Sequence, residues 1–271
     1  MGAIGHVVER ALAGNVALVR VDRTRSPLRP NEPPVAAAVI CVKTHGTAWA
    51  AEVAARIVAR DGVALTIQNG LGNFETIAAA VGEPRTAVGV IYVGARLEDG
   101  VLHATGPGRV ELGRPMAAAS AGALESLAAR LKAGGMTVSV VDDAWPSVWR
   151  KLVTNAAVNP TTALFGYTNA ELLADVATSR VADGLAAEVA RVATATGVAM
   201  SEDEARGWWR EMAALTGANR SSMLQDVQAG RPTEVDAICG AVQREGERRG
   251  VSAPLNQAMT VLVRALEPAA A

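Results

Sequence analysis

The apolar residues of the first 143 positions follow two alternating patterns. Val35–Val42 is a continuous apolar run, as expected for a strand buried on both faces of a parallel sheet. Thr47–Arg60 has the helical spacing of an amphipathic segment, and Asp61-Gly62 behind it predicts the end of that helix. Val63–Ile67 predicts the next strand. Strand, helix and strand in succession indicate the repeating unit of a parallel sheet.

The same alternation extends over the rest of this half. It predicts further helices and strands, with a GPG-containing segment expected to form an antiparallel hairpin region: helices Gly2–Ala13, Asn73–Val81 and Met116–Ala133, strands Val16–Val21, Thr86–Val93 and Met136–Val141, and the hairpin region Val101–Gly113. We therefore predict an α/β, Rossmann-like doubly wound sheet in residues 1–143.

From about Ala144 the strand patterns stop and helical patterns follow one another with short breaks. The predicted helices are Pro146–Leu164, Asn169–Thr196, Glu202–Leu215, Ser221–Ala229, Thr233–Arg249 and Leu255–Leu266. We therefore expect an all-α C-terminal domain over residues 144–271, of ordinary domain size.

Composition narrows the function classes. The net charge of −1 argues against a nucleic-acid binder that relies on a basic face. The longest apolar runs are far shorter than the roughly 18–20 residues of a membrane span, and no signal-peptide pattern is present. Cys41 and Cys239 are isolated in apolar patterns, which indicates buried thiols in a reducing cytoplasm. Because the three histidines are scattered, we expect no metal site.

Only three of the 26 basic residues are lysines, so each lysine indicates a position where a compact ammonium is needed. Lys151, Asn155 and Asn159 recur every four residues and share one face of a predicted helix. Such a row could grip a carboxylate and a carbonyl. A solvated polar face is the competing interpretation, but asparagine is a poor helix former and two on one stripe need a reason.

Two long motifs carry a family resemblance. WRKLVTNAAVNPTTAL, from Trp149, and SSMLQDVQAGRPTEVD, from Ser221, together resemble the paired signature of the ketopantoate reductases. The similarity extends from Val39 to about Leu266. It implies an N-terminal Rossmann domain, a helical C-terminal domain and NADPH-dependent reduction of 2-dehydropantoate to (R)-pantoate, in pantothenate biosynthesis.

The resemblance also implies residue roles in the C-terminal half. Lys151 matches the catalytic lysine, whose ammonium would donate a proton to the 2-keto oxygen. Glu234 matches the acidic residue near the nicotinamide and the substrate hydroxyl, although a carboxylate at a helix N-terminus would also explain it. The implied substrate-binding residues are Asn155, Asn159, Asn169, Asn219, Ser222, Met223, Leu224 and Gln225. Ser221 fits a helix N-cap.

In the N-terminal half the resemblance assigns Lys43, Asn69 and Ala95 to the cofactor. Lys43 follows a predicted strand, at the carboxyl edge where α/β ligands bind. Asn69 lies in the glycine-rich turn Gln68–Gly72, and Ala95 matches a backbone contact near the nicotinamide. Taken without the resemblance, a solvated lysine and an ordinary turn would be the simpler interpretations.

The beginning of the chain departs from the family pattern. Gly2 and Gly5, with Ala3 and Ile4 between them, match the last two glycines of the phosphate-binding motif, but the first strand and first glycine are absent. We expect the missing strand to be encoded upstream of Met1; otherwise Val16–Val21 would occupy its place. Arg23, or less favourably Arg20, would meet the 2′-phosphate of NADPH.

Two other functions stay open. A family member that has lost its cofactor could bind a small acid or act as a partner protein; the absent strand favours this. A reductase of a different 2-keto acid is also compatible with the motifs. For either reductase, a homodimer is a possible assembly.

Overall fold

The computed structural model describes residues 2–22, 33–98, 100–104 and 106–268. Contacts divide the chain into two compact units. The first consists of Met1–Gln68 and Gly72–Trp145, and the second of Asn69–Leu71 and Pro146–Ala271. The second unit therefore takes three residues from the middle of the N-terminal half, which a single boundary after residue 143 does not include.

The first unit contains a mixed sheet. The described strands are β1 (Val35–Ile40), β2 (Val58–Thr66), β3 (Thr86–Tyr92), β4 (Ala95–Glu98), β5 (Val101–Ala104), β6 (Arg109–Gly113) and β7 (Thr137–Val141). Five of them form a sheet in the order β1-β2-β3-β6-β7, in which only β3 and β6 pair antiparallel. β4 and β5 pair as a separate antiparallel hairpin.

Helices cover both faces of this sheet: α1 (Ala3–Leu12), α2 (Thr47–Ile57), α3 (Asn73–Val81) and α4 (Ala118–Ala133). Successive side chains of a strand point to opposite faces. In β2, Val63 and Leu65 pack with residues of α1 and α4, whereas Ala64 packs with residues of α2 and α3. Two cores on opposite faces confirm the predicted doubly wound α/β class.

The predicted strand Val16–Val21 is wrong. The structure has no strand there and only an isolated bridge at Asp22. Leu18 and Val19 are 44% and 49% exposed, while Val16 and Val21 pack against the two cores. A run of β-branched residues becomes a strand only where a neighbouring backbone pairs with it, and this segment has no ladder. It therefore does not fill the place of a central strand.

Two boundaries around β1 also differ from expectation. β1 lies at an edge of the described sheet, and most of it is half-buried rather than covered on both faces. The helix expected to reach Arg60 ends at Ile57, because Val58 already pairs with Val35 as the start of β2. Of the predicted hairpin region Val101–Gly113, only the first part pairs as a hairpin, with β4; β6 joins the main sheet.

The second unit consists of helices joined by turns, and none of its described residues forms a strand, which confirms the expected all-α half. Its helices are α5 (Trp145–Phe165), α6 (Asn169–Ala174), α7 (Val176–Ala195), α8 (Glu202–Leu215), α9 (Ser222–Gln228), α10 (Cys239–Arg249) and α11 (Pro254–Arg264). They enclose an apolar core in which Trp209, Leu185 and Val242 are fully buried.

Two predicted helices of this unit are shorter than expected. Asn169–Thr196 is divided at Asp175, whose extended backbone ends α6 and whose carboxylate caps α7 by accepting from the Thr178 amide. Thr233–Arg249 becomes helical only at Cys239. The preceding residues form a tighter turn, which starts where the Thr233 hydroxyl accepts from the Val235 amide.

Candidate active site

Helix α5 carries the row of polar residues predicted from the spacing. Lys151, Asn155 and Asn159 all lie within this continuous helix, so their four-residue spacing places them along one face. Lys151 and Asn155 are half-buried, and Asn159 is only 7% exposed. The face is therefore not a solvated one, which removes the simpler interpretation of the stripe.

Lys151 lies in an environment that disfavours its charge. Desolvation lowers the pKa of its ammonium to about 8, and the negative charge of Glu234 acts in the opposite direction. At neutral pH most of the population is protonated, and the proton is easier to release than that of an exposed lysine. A cation with these properties can serve as a general acid near pH 7.

Glu234 lies in the turn before α10 and is 6% exposed. Its Oε2 accepts a hydrogen bond of 3.2 Å from Nδ2 of Asn69. Asn69 belongs by its contacts to the helical unit. Leu71 of the same turn also contacts this unit, since its amide donates to the Ala237 carbonyl over 2.8 Å. The structure thus brings Asn69, Glu234 and Lys151 together from three separate parts of the sequence.

Gly70, between these two contacts, has a positive φ of 80°. A Cβ at this position would overlap the Ala237 carbonyl. Glycine is therefore needed here for both the backbone conformation and the close approach.

Asn169, predicted to contact the substrate, has its side-chain donor engaged within the helical unit. Its Nδ2 donates to Oγ1 of Thr216 over 2.8 Å, and its backbone amide donates to the Asn219 carbonyl over 3.0 Å. The amide oxygen of Asn169 is buried and has no hydrogen-bond partner among the described residues. The donor of this side chain joins α6 to the end of α8, while Asn219 itself is exposed.

The serine segment forms α9. Ser221 is the N-cap, as expected, since its hydroxyl accepts from the Leu224 amide over 3.1 Å. Ser222 is exposed at the first helical position, whereas Met223 and Leu224 are each 2% exposed, Met223 within the apolar core. Gln225 donates through Nε2 to the Arg220 carbonyl over 2.9 Å.

In the first unit, the predicted phosphate-binding residues begin α1. Gly2 is its N-cap and offers no side chain to the first amides, Ala3 and Ile4 are half-buried, and Gly5 is buried. Such an end leaves main-chain amides for an anion. Lys43, which follows the end of β1, and Ala95, the first residue of β4, are half-buried.

Of the two arginines considered for a 2′-phosphate, the structure describes Arg20. Arg20 is held by Glu9 of α1, with its Nε and Nη2 atoms 3.2 and 2.5 Å from one carboxylate oxygen. Arg23 lies outside the described residues.

Family models match both halves of the chain. Residues 2–116 match ketopantoate reductase PanE/ApbA, and residues 143–267 match the C-terminal domain of the same family. The chain belongs to the ketopantoate reductase family. It is thus a member of a family of oxidoreductases.

Individual relatives agree with this assignment. A 2-dehydropantoate 2-reductase of Halobacterium salinarum is 35% identical over 273 residues, which cover 96% of this chain and 89% of that protein. The structure of 2-dehydropantoate 2-reductase from Geobacter metallireducens is 26% identical with a TM-score of 0.81, covering 98% of this chain and 97% of that one. A D-mandelate dehydrogenase in complex with NADH is 25% identical with a TM-score of 0.78, covering 84% and 78%.

One polar network of this reductase was not predicted from sequence. Gln68, at the carboxyl end of β2, donates through Nε2 to the Val42 carbonyl and to the Thr47 hydroxyl, each over 2.8 Å. Its Oε1 lies 3.0 Å from the Thr66 hydroxyl, and the Thr47 hydroxyl also lies 2.8 Å from Oδ1 of Asn73. The network fixes the turn that precedes Lys43 to the start of α2. A polar residue inside an apolar strand, Thr66, was the sequence signal that could have indicated this network.

The described part of the chain contains neither a cluster suited to a metal ion nor a helix suited to a membrane. Its histidine, cysteine and acidic side chains form no group of three or more that could hold a metal ion. None of its helices combines the length and the apolar character needed to cross a membrane. Both cysteines are free thiols: Cys239 is buried, and desolvation raises the pKa of the half-buried Cys41 to about 12.

Proposed function

We propose that this chain reduces 2-dehydropantoate to (R)-pantoate with NADPH. The observation that carries the proposal is the half-buried ammonium of Lys151, with a pKa of about 8, beside the buried carboxylate of Glu234. Reduction of a ketone generates negative charge on oxygen, and a positive donor at that oxygen stabilises the developing charge. The family membership supports the same reaction class.

In this proposal Lys151 donates a hydrogen bond to the 2-keto oxygen and transfers a proton to it as the alcohol forms. A nicotinamide cofactor would supply the hydride. Asn155 and Asn159, on the same face of α5, orient the keto acid by donating from their amides. Glu234 orients Asn69 through their hydrogen bond, and its negative charge favours the protonated form of Lys151.

The residues that the family resemblance assigns to the cofactor suit a dinucleotide. The start of α1 offers amides without a capping side chain, which suits a pyrophosphate, and Lys43 follows a parallel strand where α/β ligands bind. We assign Gly2, Ala3, Ile4 and Gly5 to the pyrophosphate, and Lys43, Asn69 and Ala95 to the nicotinamide side. The NADH complex of the structurally similar D-mandelate dehydrogenase supports a nicotinamide cofactor.

The preference for NADPH rests on the family resemblance and on Arg23. Arg20 is already paired with Glu9, which makes it a poor candidate for a 2′-phosphate.

The likeness to D-mandelate dehydrogenase also favours a second candidate, reduction of a different 2-keto acid. A panel of 2-dehydropantoate, pyruvate and phenylglyoxylate, each with NADPH and with NADH, distinguishes the two functions. We expect the largest kcat/KM for 2-dehydropantoate with NADPH, measured by the loss of absorbance at 340 nm. A larger value for another acid would replace the proposed substrate. Absence of both turnover and any change in NADPH fluorescence would favour a protein without a cofactor. Light scattering of the same sample measures whether it is a homodimer.

Replacing Lys151 with alanine tests the proposed proton donor. We expect kcat to fall by roughly 10²–10⁴ because a positioned general acid is lost. The NADPH dissociation constant, measured by fluorescence, should change little. Near-normal turnover would show that Lys151 does not donate the proton.

A further inference from the structure

A pair of buried hydroxyl groups connects α5 to α9. Oγ1 of Thr162 lies 2.7 Å from Oγ of Ser221, although the two residues are 59 positions apart in the chain. Thr162 has no exposed surface and Ser221 is 8% exposed. The contact therefore lies out of reach of solvent, where a hydrogen bond has a defined geometry and is costly to lose.

The direction of each hydrogen bond follows from counting protons. The Ser221 oxygen accepts from the Leu224 amide, and the Thr162 oxygen lies 2.8 Å from the Val158 carbonyl, which can only accept. Both hydroxyl protons are used when Thr162 donates to Val158 and accepts the single hydroxyl proton of Ser221. The result is a continuous chain of hydrogen bonds from the first turn of α9 to the backbone of α5.

This chain enters α5 at a weak point of the helix. Pro160 lies inside α5 and has no amide proton, so one of the helix's main-chain hydrogen bonds is missing there. Asn159 is the preceding residue, and its carbonyl oxygen lies 3.1 Å from the Thr162 hydroxyl. The other end of the chain is Ser221, which precedes Ser222. The hydroxyl pair thus lies between two segments that each carry a residue assigned to the substrate.

We propose that Thr162 is a positioning residue for the keto acid: its hydroxyl holds the Asn159 segment of α5 and the Ser222 end of α9 at a fixed separation, so that both side chains meet one substrate molecule. The proposal rests on the function proposed above. It predicts an effect on substrate affinity rather than on the chemical step or on the cofactor.

Thr162→Val tests this role because it removes the hydroxyl and keeps the shape of the side chain. We expect KM for 2-dehydropantoate to rise about five- to tenfold, as for the loss of one buried hydrogen bond, with kcat and the NADPH dissociation constant within about twofold of wild type. Thr162→Ser, which retains the hydroxyl, should restore KM. Ser221→Ala breaks the link from the other side and should raise KM even if Thr162→Val does not fold.

Thr161→Val is the matched control. Thr161 is the neighbouring residue, has no exposed surface, and its hydroxyl lies 2.9 Å from the Ala157 carbonyl of the same helix. It loses a buried hydroxyl without breaking the link to α9, so KM should stay at the wild-type value. Equal KM values for the two valine variants would overturn the proposal and leave the reductase function intact.

Hydrogen exchange separates failure of the positioning role from failure of the proposed function. If wild-type protein does not reduce 2-dehydropantoate, the function is wrong, and the link is tested by exchange of the Leu224 amide. That amide should exchange faster in Thr162→Val than in Thr161→Val, because the Ser221 hydroxyl loses its acceptor. Equal rates in the two variants would show that the hydroxyl pair does not hold α9.

Discussion

The proposed role of Lys151 as a general acid predicts a pH dependence for the reaction. A general acid must be protonated, and the folded-state pKa of this ammonium is lowered from 10.5 to about 8. The protonated fraction is nearly complete below that pH and falls about tenfold per unit above it. We expect kcat/KM for keto acid reduction to decline as pH rises through 8. In the reverse direction, oxidation of pantoate needs the neutral amine and should increase over the same interval. A flat profile in both directions would argue against Lys151 as the titrating group.

We expect the charge of Glu234 to affect the pH at which that decline occurs. Its charge raises the pKa of Lys151 against the larger effect of desolvation. In Glu234→Gln the opposing charge is gone, so the pKa should decrease further and the decline should move to a pH below 8. Glu211→Gln, an exposed carboxylate of α8, is the control and should leave the pH profile unchanged. A Glu234→Gln profile that coincides with that of the wild type would show that the charge of Glu234 does not affect the pKa of Lys151.

Single residues were predictable where a long motif identified them and less so where folding decides their partners. Lys151 and Glu234 came from the resemblance, and their proximity could not be read from residues 83 positions apart in the sequence. Asn169 shows the limit: the resemblance predicts a substrate contact for it, but its hydrogen bond to Thr216 could not be predicted. Partners of this kind depend on loop geometry between α6 and α8, which local spacing does not encode.

At the scale of helices, one buried carboxylate binds the N-terminus of α11. Glu188 of α7 is 2% exposed and accepts from the backbone amides of Leu255 and Asn256, each over 2.9 Å, and from the Asn256 side chain over 2.8 Å. The amides at a helix N-terminus lack partners within the helix, so this carboxylate satisfies donors that would otherwise be buried unpaired.

Glu188→Leu should therefore lower the free energy of unfolding by roughly 2–5 kcal/mol, since several buried donors lose their acceptor. Glu247→Leu, at an exposed position of α10, should change it by less than about 0.5 kcal/mol. Urea denaturation followed by circular dichroism measures both. A similar small change in the two variants would show that α11 is held by its apolar contacts alone.

Elements were predicted well where local signals agree with one another. Helix α8 has its predicted bounds, because Ser201 and Glu204 form a reciprocal cap and the apolar spacing continues to Leu215. Val16–Val21 had the composition of a strand but no partner. Val58–Arg60 had helical spacing but belong to β2, because Val58 pairs with Val35 of β1. The failures share a cause: backbone pairing between distant segments is decided by the whole sheet.

At the scale of the molecule, the turn Asn69–Leu71 is built into the helical unit. Gly70→Ala should disrupt that arrangement, since the new methyl group would overlap the Ala237 carbonyl in addition to straining the backbone. Gly72→Ala is the control: its φ is +89°, and a Cβ there meets nothing within 4 Å. We expect Gly70→Ala to be the less stable by roughly 1–3 kcal/mol in thermal or urea unfolding. Equal destabilisation would mean that backbone strain alone matters at Gly70.

The α/β and all-α halves could be recognised from the sequence because their periodicities differ over many residues. That residues 69–71 belong to the helical unit could not be recognised from the sequence. It depends on a hydrogen bond from Leu71 to Ala237 and on the absence of a Cβ at Gly70. Contacts across 166 positions leave no trace in local composition.

The place of residues 69–71 in the helical unit determines which segments must be exchanged together in a chimera with a relative. The covalent chain passes between the two units after Gln68, after Leu71 and after Trp145, so no single cut separates them. A chimera that exchanges only the segment after Trp145 with a relative's would leave the native turn Asn69–Leu71 opposite the relative's residues at positions 234 and 237. A transplant of substrate preference should therefore carry Asn69, Gly70 and Leu71 with the helices, as a second, three-residue graft. The smallest exchangeable module of this enzyme is discontinuous in the gene.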